Sequence, residues 1–321
     1  MATKSDEVAP APPLCDLIYL PVSADSVQCK HWNNALCCIR DIVSQPPGFG
    51  TPSSVTSAVN ACAATLPAAE FSDLLQTRNI EGHTALYWAI VNNRPETFSF
   101  LAGFISQFSS DCSSDLRLAC MTTSDNELFT RLNLGGNSND PKDEPLRRSL
   151  GCPADEIQVA GSEPNQFVAS FRIRMFQKRL RTTQDMRCEF IAGGRIWWLR
   201  FYMARIKKIW CAEIGLSGDS LPARPSSDAV LLIEAHKQKN SRLSNALQIS
   251  LELADRYKPE PKHLSVAHVR ALHKFEYSTA PEICNELGDW VMHDNSIYVD
   301  NEGTLHAKLK IKLSLFATPD K

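Results

Sequence analysis

Residues 79–93 read NIEGHTALYWAIVNN, and the order of residue types dictates a local structure. Gly82 permits the tight backbone turn that precedes a helix. Thr84 stands where an N-cap hydroxyl accepts from an orphan backbone N–H. Leu86, Ala89 and Ile90 then line one face, and the small Ala89 lets a neighbouring helix approach closely. Asn92 and Asn93 end this short helix, Pro95 suits the first turn of the next, and Phe98 to Phe104 continue it. Such a helical hairpin cannot bury its apolar face alone and needs a stacked neighbour.

The neighbours carry a similar spacing. Setting LYWAIVNNRPETFSFL against LRLACMTTSDNELFTRL puts Leu86 on Leu116 and Ala89 on Ala119, an offset of 30 residues (89 to 119). Phe98 falls on Leu128, and upstream Pro95 falls on Pro67. These offsets lie just below the ~33-residue ankyrin period. The pattern N-x-x-G-x-T-A-L-Y-x-A from Asn79 to Ala89 resembles the ankyrin motif D-x-x-G-x-T-P-L-H-x-A, with Asn79, Ala85 and Tyr87 as departures. The resemblance implies a short ankyrin-like helical solenoid over residues 22–134, with Asn79, Gly82, Thr84, Leu86 and Ala89 as its structural motif. The alternative is a generic helical bundle whose Gly-Thr start is ordinary capping. Earlier segments fit either: an amphipathic helix from Ser23 carrying Val27, Trp32, Leu36, Ile39 and Val43, and another from Val55 to Thr65, broken at Pro67 and resumed by AAEFSDLL.

Bulk composition narrows the function. The chain has 321 residues with 43% apolar and 22% charged content, enough for two or more folded domains. A formal net charge of −2 gives no whole-molecule attraction to nucleic acid or anionic membrane. Residues 1–21 are rich in Pro and Ala and read as a disordered tail, with no apolar run that suits a signal peptide or a membrane helix. The 11 cysteines are scattered without a C-x-x-C pair. They read as reduced thiols in a cytoplasmic, or alternatively nuclear, setting, and they lack structural-zinc spacing.

From residue 135 the composition turns polar, and 135–164 reads as an interdomain linker with one helical turn at PLRRSL. Beyond it the period becomes two. In QFVASFRIRMFQ, Phe167, Ala169, Phe171, Ile173 and Met175 alternate with Val168, Ser170, Arg172, Arg174 and Phe176. CEFIAGGRIWWLRFYM turns at Gly193–Gly194, and IWCAEIGLSG, AVLLIEAHKQ, LQISLEL and VRALHKFEY read as further strands. In SIYVDNEGTLHAKLKIKLSLF, Asp300 to Gly303 predicts a four-residue hairpin turn. About eight short strands predict an antiparallel β-sandwich over 165–316, followed by a tail at 317–321. The fold class is therefore α+β in two domains.

CEFIAGGRIWWLRFY resembles the F-x-x-G-G-x-x-W-x-L strand pair of MATH (TRAF-like) domains. Tyr298, Val299, Asp300 and Leu305 match that family's closing segment, with a lengthened turn between them. The whole chain resembles fungal proteins of unknown function that pair an ankyrin-like region with such a C-terminal half. Both families bind other proteins. The resemblances imply a non-enzymatic adaptor that recognises a protein or peptide partner, with no cofactor.

Candidate sites are few. Arg172, Arg174, Lys178, Arg179, Arg181 and Arg187 crowd one strand and its turn. They suit an acidic peptide, a phosphate or a nucleic acid, or else form the solvated face of an edge strand. Trp197 and Trp198 must point to opposite sheet faces, so one belongs in the core and the other on a contact surface or under the helical domain. A metal site from His293, Asp294, Asp300 and His306 is disfavoured, because their spacing is not diagnostic. GLSGDS lacks the final glycine and following helix of a nucleophile elbow. An enzyme site assembled between the two domains is the remaining alternative.

Overall fold

The computed structural model describes residues 27–44, 52–136, 143–163, 165–204, 208–217, 220, 223, 229–236, 246–251, 285–294 and 296–313. The chain divides into two compact units, Met1–Cys112 and Ser113–Lys321.

The first unit holds α1 (Val27–Ser44), α2 (Pro52–Ala63), α3 (Ala68–Gln76), α4 (Ala85–Val91) and α5 (Pro95–Ala102). The expected start of α4 is present. Glu81 and Gly82 both take left-handed backbone conformations, at φ 50° and 79°. They close a turn in which Ile80 and His83 exchange backbone hydrogen bonds of 3.0 and 2.9 Å. The buried Thr84 hydroxyl accepts from Tyr87 N at 3.1 Å. At the other end, Asn93 turns left-handed (φ 52°), and Arg94 N donates to Ala89 O while Asn93 N donates to Ile90 O. That is a Schellman stop, with asparagine in the place glycine usually fills. Asn92 Nδ2 donates to Val43 O at 2.8 Å and fixes the end of α4 to the last turn of α1. Leu86 and Ala89 are fully buried, as are Ile39 and Val43 of α1 and Leu74 and Leu75 of α3.

The second unit contains two antiparallel sheets, which makes the protein α+β. Its elements are the remainder of α6 (Ser110–Thr123), then α7 (Asn126–Arg131), α8 (Asp143–Ser149), β1 (Glu156–Glu163), β2 (Gln166–Ile173), α9 (Phe176–Thr183), β3 (Asp185–Ala192), β4 (Arg195–Met203), β5 (Trp210–Leu216), β6 (Val230–Ile233), β7 (Leu247–Ser250), β8 (Asn285–Glu286) and β9 (Leu305–Lys312). One sheet has the order β1-β2-β9-β6-β7 and the other β3-β4-β5-β8. Strict alternation puts Phe167 and Phe171 of β2 inward against Phe190 of β3, with ring centroids 6.1 and 5.4 Å apart. Phe167 also meets Trp197 at 5.4 Å. The two sheets therefore share one aromatic core. Burying each such ring contributes roughly 1.5–3 kcal/mol.

Three expectations are corrected here. First, residues 176–183 are a helix, α9, not an extension of a strand and its turn. Met175 adopts φ 49° and breaks the alternation. Phe176 and Leu180, four residues apart, then enter the core together, with Phe176 edge-on to Phe201 at 5.0 Å. Second, the stretch 135–164 carries α8 and the full edge strand β1. Its polar composition hid the fact that Asp143 and Asp155 are both gathered by one buried arginine, Arg179. Third, among the described residues the segment before Asp300 contributes only an isolated bridge, Val299 to Leu305, whereas β9 pairs with β2 and β6. The turn itself is as expected. Gly303 has φ 74°, and Asp300 Oδ1 accepts from Glu302 N and Thr304 N at 2.9 and 2.8 Å.

Gly193 and Gly194 make the left-handed turn between β3 and β4. The strand expected at 269–277 lies outside the described residues, as do the two tails. Seven of the described cysteines are free thiols, but Cys211 is disulfide-bonded, so the thiols are not all reduced as expected. Among the described residues, no helix is long and apolar enough to cross a membrane.

Candidate functional site

The predicted basic cluster is held within its own unit by ion pairs. Arg172 and Arg174 both reach Glu156, at 3.4 and 2.8 Å, and Arg174 also lies 3.6 Å from Glu302. The hydrogen bond from Arg174 holds the Glu156 carboxyl below its ordinary range. Arg179 is 1% exposed. It donates to Asp143 at 2.9 Å, to both oxygens of Asp155 at 2.8 and 2.9 Å, and to Arg174 O. Burial alone would lower its pKa, but the two carboxylates outweigh that and raise it. Arg181 donates to Val291 O and pairs with Asp294. Lys178 alone in this predicted set is exposed without an ion pair among the described residues. Arg187 pairs with Glu189 at 2.8 Å.

The tryptophans are structural too. Trp197 is in the core, its indole N–H donating to Ala192 O at 3.0 Å. Trp198 lies on the opposite face, is 7% exposed, and donates to Leu216 O at 3.0 Å. The Arg187 guanidinium sits 4.9 Å over its ring. Gly215 lies directly beneath, where a Cβ would come within 2.2 Å of the indole. Neither indole offers a contact surface. Of the residues weighed for a metal, Asp300 and His306 come within 3.2 Å, and Asp294 is taken by Arg181. Among the described residues, no group of three or more ligating side chains gathers.

Among the described residues, the feature that remains open is a sheet edge. β1 ends the five-stranded sheet and β3 ends the four-stranded one. The hydrogen-bonding phase of β1 follows from one flanking contact and the strand registers. Leu313 N donates to Asn165 O at 2.6 Å, so odd-numbered residues of β2 point their backbone groups at β9. Even-numbered residues of β2 therefore face β1. Through the register Gln158 to Ser170 and Val159 to Ala169, the even residues of β1 answer them. Backbone groups of Ile157 and Val159 consequently point away from the sheet.

One side chain spans the gap between the two edges. Asn126, the first residue of α7, donates from Nδ2 to Ile157 O and accepts at Oδ1 from Ile191 N, both at 2.9 Å. Ser124 Oγ accepts from Gly194 N at 2.9 Å and pins the α6–α7 turn to the β3–β4 turn. Asp125 caps α7 through Leu128 N at 2.8 Å. α7 therefore seals the sandwich beside Ile157 and leaves β1 open further along.

Between α7 and β1 runs a groove of about 1290 Å³. Its apolar floor includes Ile157, Val159, Phe167 and Ile191, and its α7 wall carries Glu127 and Arg131. Gln158, Ala160 and Gly161 are exposed beside it. A strand laid along β1 would find outward backbone groups at Val159, and its alternate side chains would meet that floor. Sequence reasoning missed this site. The alternation E-I-Q-V-A at 156–160 was the available signal, but it lay inside a stretch whose polarity reads as linker. No family model matches the chain, and neither curated proteins nor solved structures yield a match.

Proposed function

We propose that the protein is a non-enzymatic recognition module that binds an extended segment of a partner protein by strand addition to β1. The observation that carries this reading is the outward phase of Val159 on an edge strand bordered by an apolar-floored groove. Backbone pairing supplies general affinity in such a mode, and the groove supplies selectivity through alternate side chains. The capped hairpin at Gly82–Thr84 and the two facing antiparallel sheets are in keeping with the ankyrin-like and MATH-like resemblances. Both implied families bind proteins, which supports an adaptor role in the cytoplasm or nucleus. The arginines at 172, 174, 179 and 181 are committed to carboxylates and carbonyls of their own unit, which favours this reading over nucleic-acid or phosphate binding through them.

The test uses Val159→Pro in the full chain. Because the Val159 N–H points outward, proline there removes no ladder bond, yet its ring projects into the path of an added strand. Peptides selected from a random display library on the wild-type chain should lose binding to Val159→Pro while the melting temperature holds. Equal binding by the two proteins would refute strand addition at this edge.

A further inference from the structure

The side chains around the groove indicate what kind of segment fits it. We infer that the strand taken up by β1 is basic, with Lys or Arg alternating with apolar residues; this rests on the edge-addition reading above. Among the described residues, those lining the groove include the carboxylates Asp125, Glu127, Asp155 and Glu156, against the single cation Arg131. The cations that compensate these acids sit elsewhere. Arg179 is buried behind Asp155 and divides its charge with Asp143. Arg172 and Arg174 approach Glu156 from the neighbouring strand β2 and its end. Glu127 is exposed in the first turn of α7 and forms no ion pair among the described residues. An incoming ammonium or guanidinium would meet Glu127 on the α7 wall.

A second copy of the chain is a poorer occupant. Antiparallel self-pairing centred on Val159 would set Gln158 against Ala160 and Ile157 against Gly161 of the other copy, and this stretch carries no cation to answer Glu127. An acidic segment would meet repulsion from Glu127 on the wall. An alternating basic strand avoids both conflicts: its apolar residues turn to the half-buried Ile157 and Val159, and its cations meet the exposed Glu127.

The experiment measures binding of three labelled, end-capped heptapeptides to the full chain by fluorescence anisotropy at low salt. One alternates Lys with Val, one Glu with Val, and one Ser with Val. The Lys peptide is expected to bind at least 10-fold more tightly than the Glu peptide. Its advantage should shrink at least 3-fold in Glu127→Lys and fall as salt is added. Val159→Pro should abolish its binding without a change in melting temperature. If the Glu or Ser peptide binds as well as the Lys peptide, and Val159→Pro abolishes all three, the charge inference is wrong while edge addition stands. If Lys-peptide binding survives Val159→Pro, the peptide sits elsewhere and the inference is overturned. If none of the three binds, edge addition at β1 loses its support and the charge inference falls with it.

Discussion

Asn126 closes the sandwich with one side chain, and removing that side chain has a calculable cost. In Asn126→Ala, the Ile191 N–H loses its 2.9 Å acceptor inside a residue that is fully buried. An unsatisfied buried donor costs about 1–3 kcal/mol. The other partner, Ile157 O, belongs to a half-buried residue on an edge, so water replaces Nδ2 there at little cost. The expected loss is therefore about 2 kcal/mol, or roughly 4–8 °C in melting temperature for a unit of this size. Urea denaturation reads the first figure, and amide exchange at Ile191 reads its origin, since that N–H should lose protection. Asn126→Asp separates the two bonds. Its new carboxylate still accepts from Ile191 N but faces the Ile157 carbonyl without a proton. Burial raises the folded pKa of that carboxyl, so stability is greatest below the unfolded carboxylate pKa and is lost as pH rises through the folded value. The gap to the wild type should thus narrow on acidification towards pH 4. A loss below about 0.5 kcal/mol for Asn126→Ala, with Ile191 exchange unchanged, would refute the assigned role.

Other positions give independent checks. Arg179→Met should destabilise the second unit by about 3–5 kcal/mol in urea denaturation, because it strands Asp143 and Asp155 without their shared cation. Gly82→Ala meets no atom within 4 Å, so its whole cost is the left-handed φ of 79°, about 1 kcal/mol by the same assay; no loss would mean the turn relaxes. Burial pushes the Asp300 carboxyl up, but hydrogen bonds from Thr304 N, His306 and Glu302 N outweigh it and hold its pKa down. The stability this gives is present above the ordinary carboxylate pKa of ~3.9 and disappears as pH falls through the folded value, so Asp300→Asn should flatten the acid limb of the stability profile. The disulfide at Cys211 predicts that the denatured chain titrates at least two more thiols after reduction than before. In the folded chain, exposed Cys37 should alkylate at pH 8, while Cys62 and Cys120, whose pKa values burial pushes up to about 12, should stay unmodified.

The legible parts of the fold were those whose signal is local. Gly82, Thr84 and Pro95 announce the α4–α5 hairpin because turn, cap and first-turn chemistry act over three or four residues. The alternation of Phe167, Ala169, Phe171 and Ile173 announces β2 because one face is buried throughout. What stayed hidden depends on partners far away in the chain. The arginines at 172–181 look like one charged surface until Glu156, Asp143, Asp155 and Asp294 come to them in the folded state. α9 was hidden because Met175 continues the apolar alternation by residue type, and the left-handed turn at that residue breaks it. β1 was hidden for the opposite reason, since its strand pattern is bracketed by residues that favour loops. Asn126 carried no signal, because its partners lie 31 and 65 residues downstream.

A strand edge that no described residue pairs invites unwanted association, so the way β1 is protected bears on what it accepts. At its start, Asp155 is drawn back by Arg179 and accepts from Arg174 N at 2.9 Å. Ile157 O is occupied by Asn126, and beyond Ala160 the register with β2 becomes irregular before Glu163. The regular, uncapped part of the edge is therefore centred on Val159. One residue there offers one donor and one acceptor, worth about 1 kcal/mol each in net terms. That is far too little for specific binding unless side chains add to it. A long bare edge would accept almost any extended chain, whereas so short a window leaves selection to the groove wall. The same Asn126 contact that seals the core thus sets the limit of the accessible edge, and with it the weight that Glu127 and the apolar floor must carry in recognition.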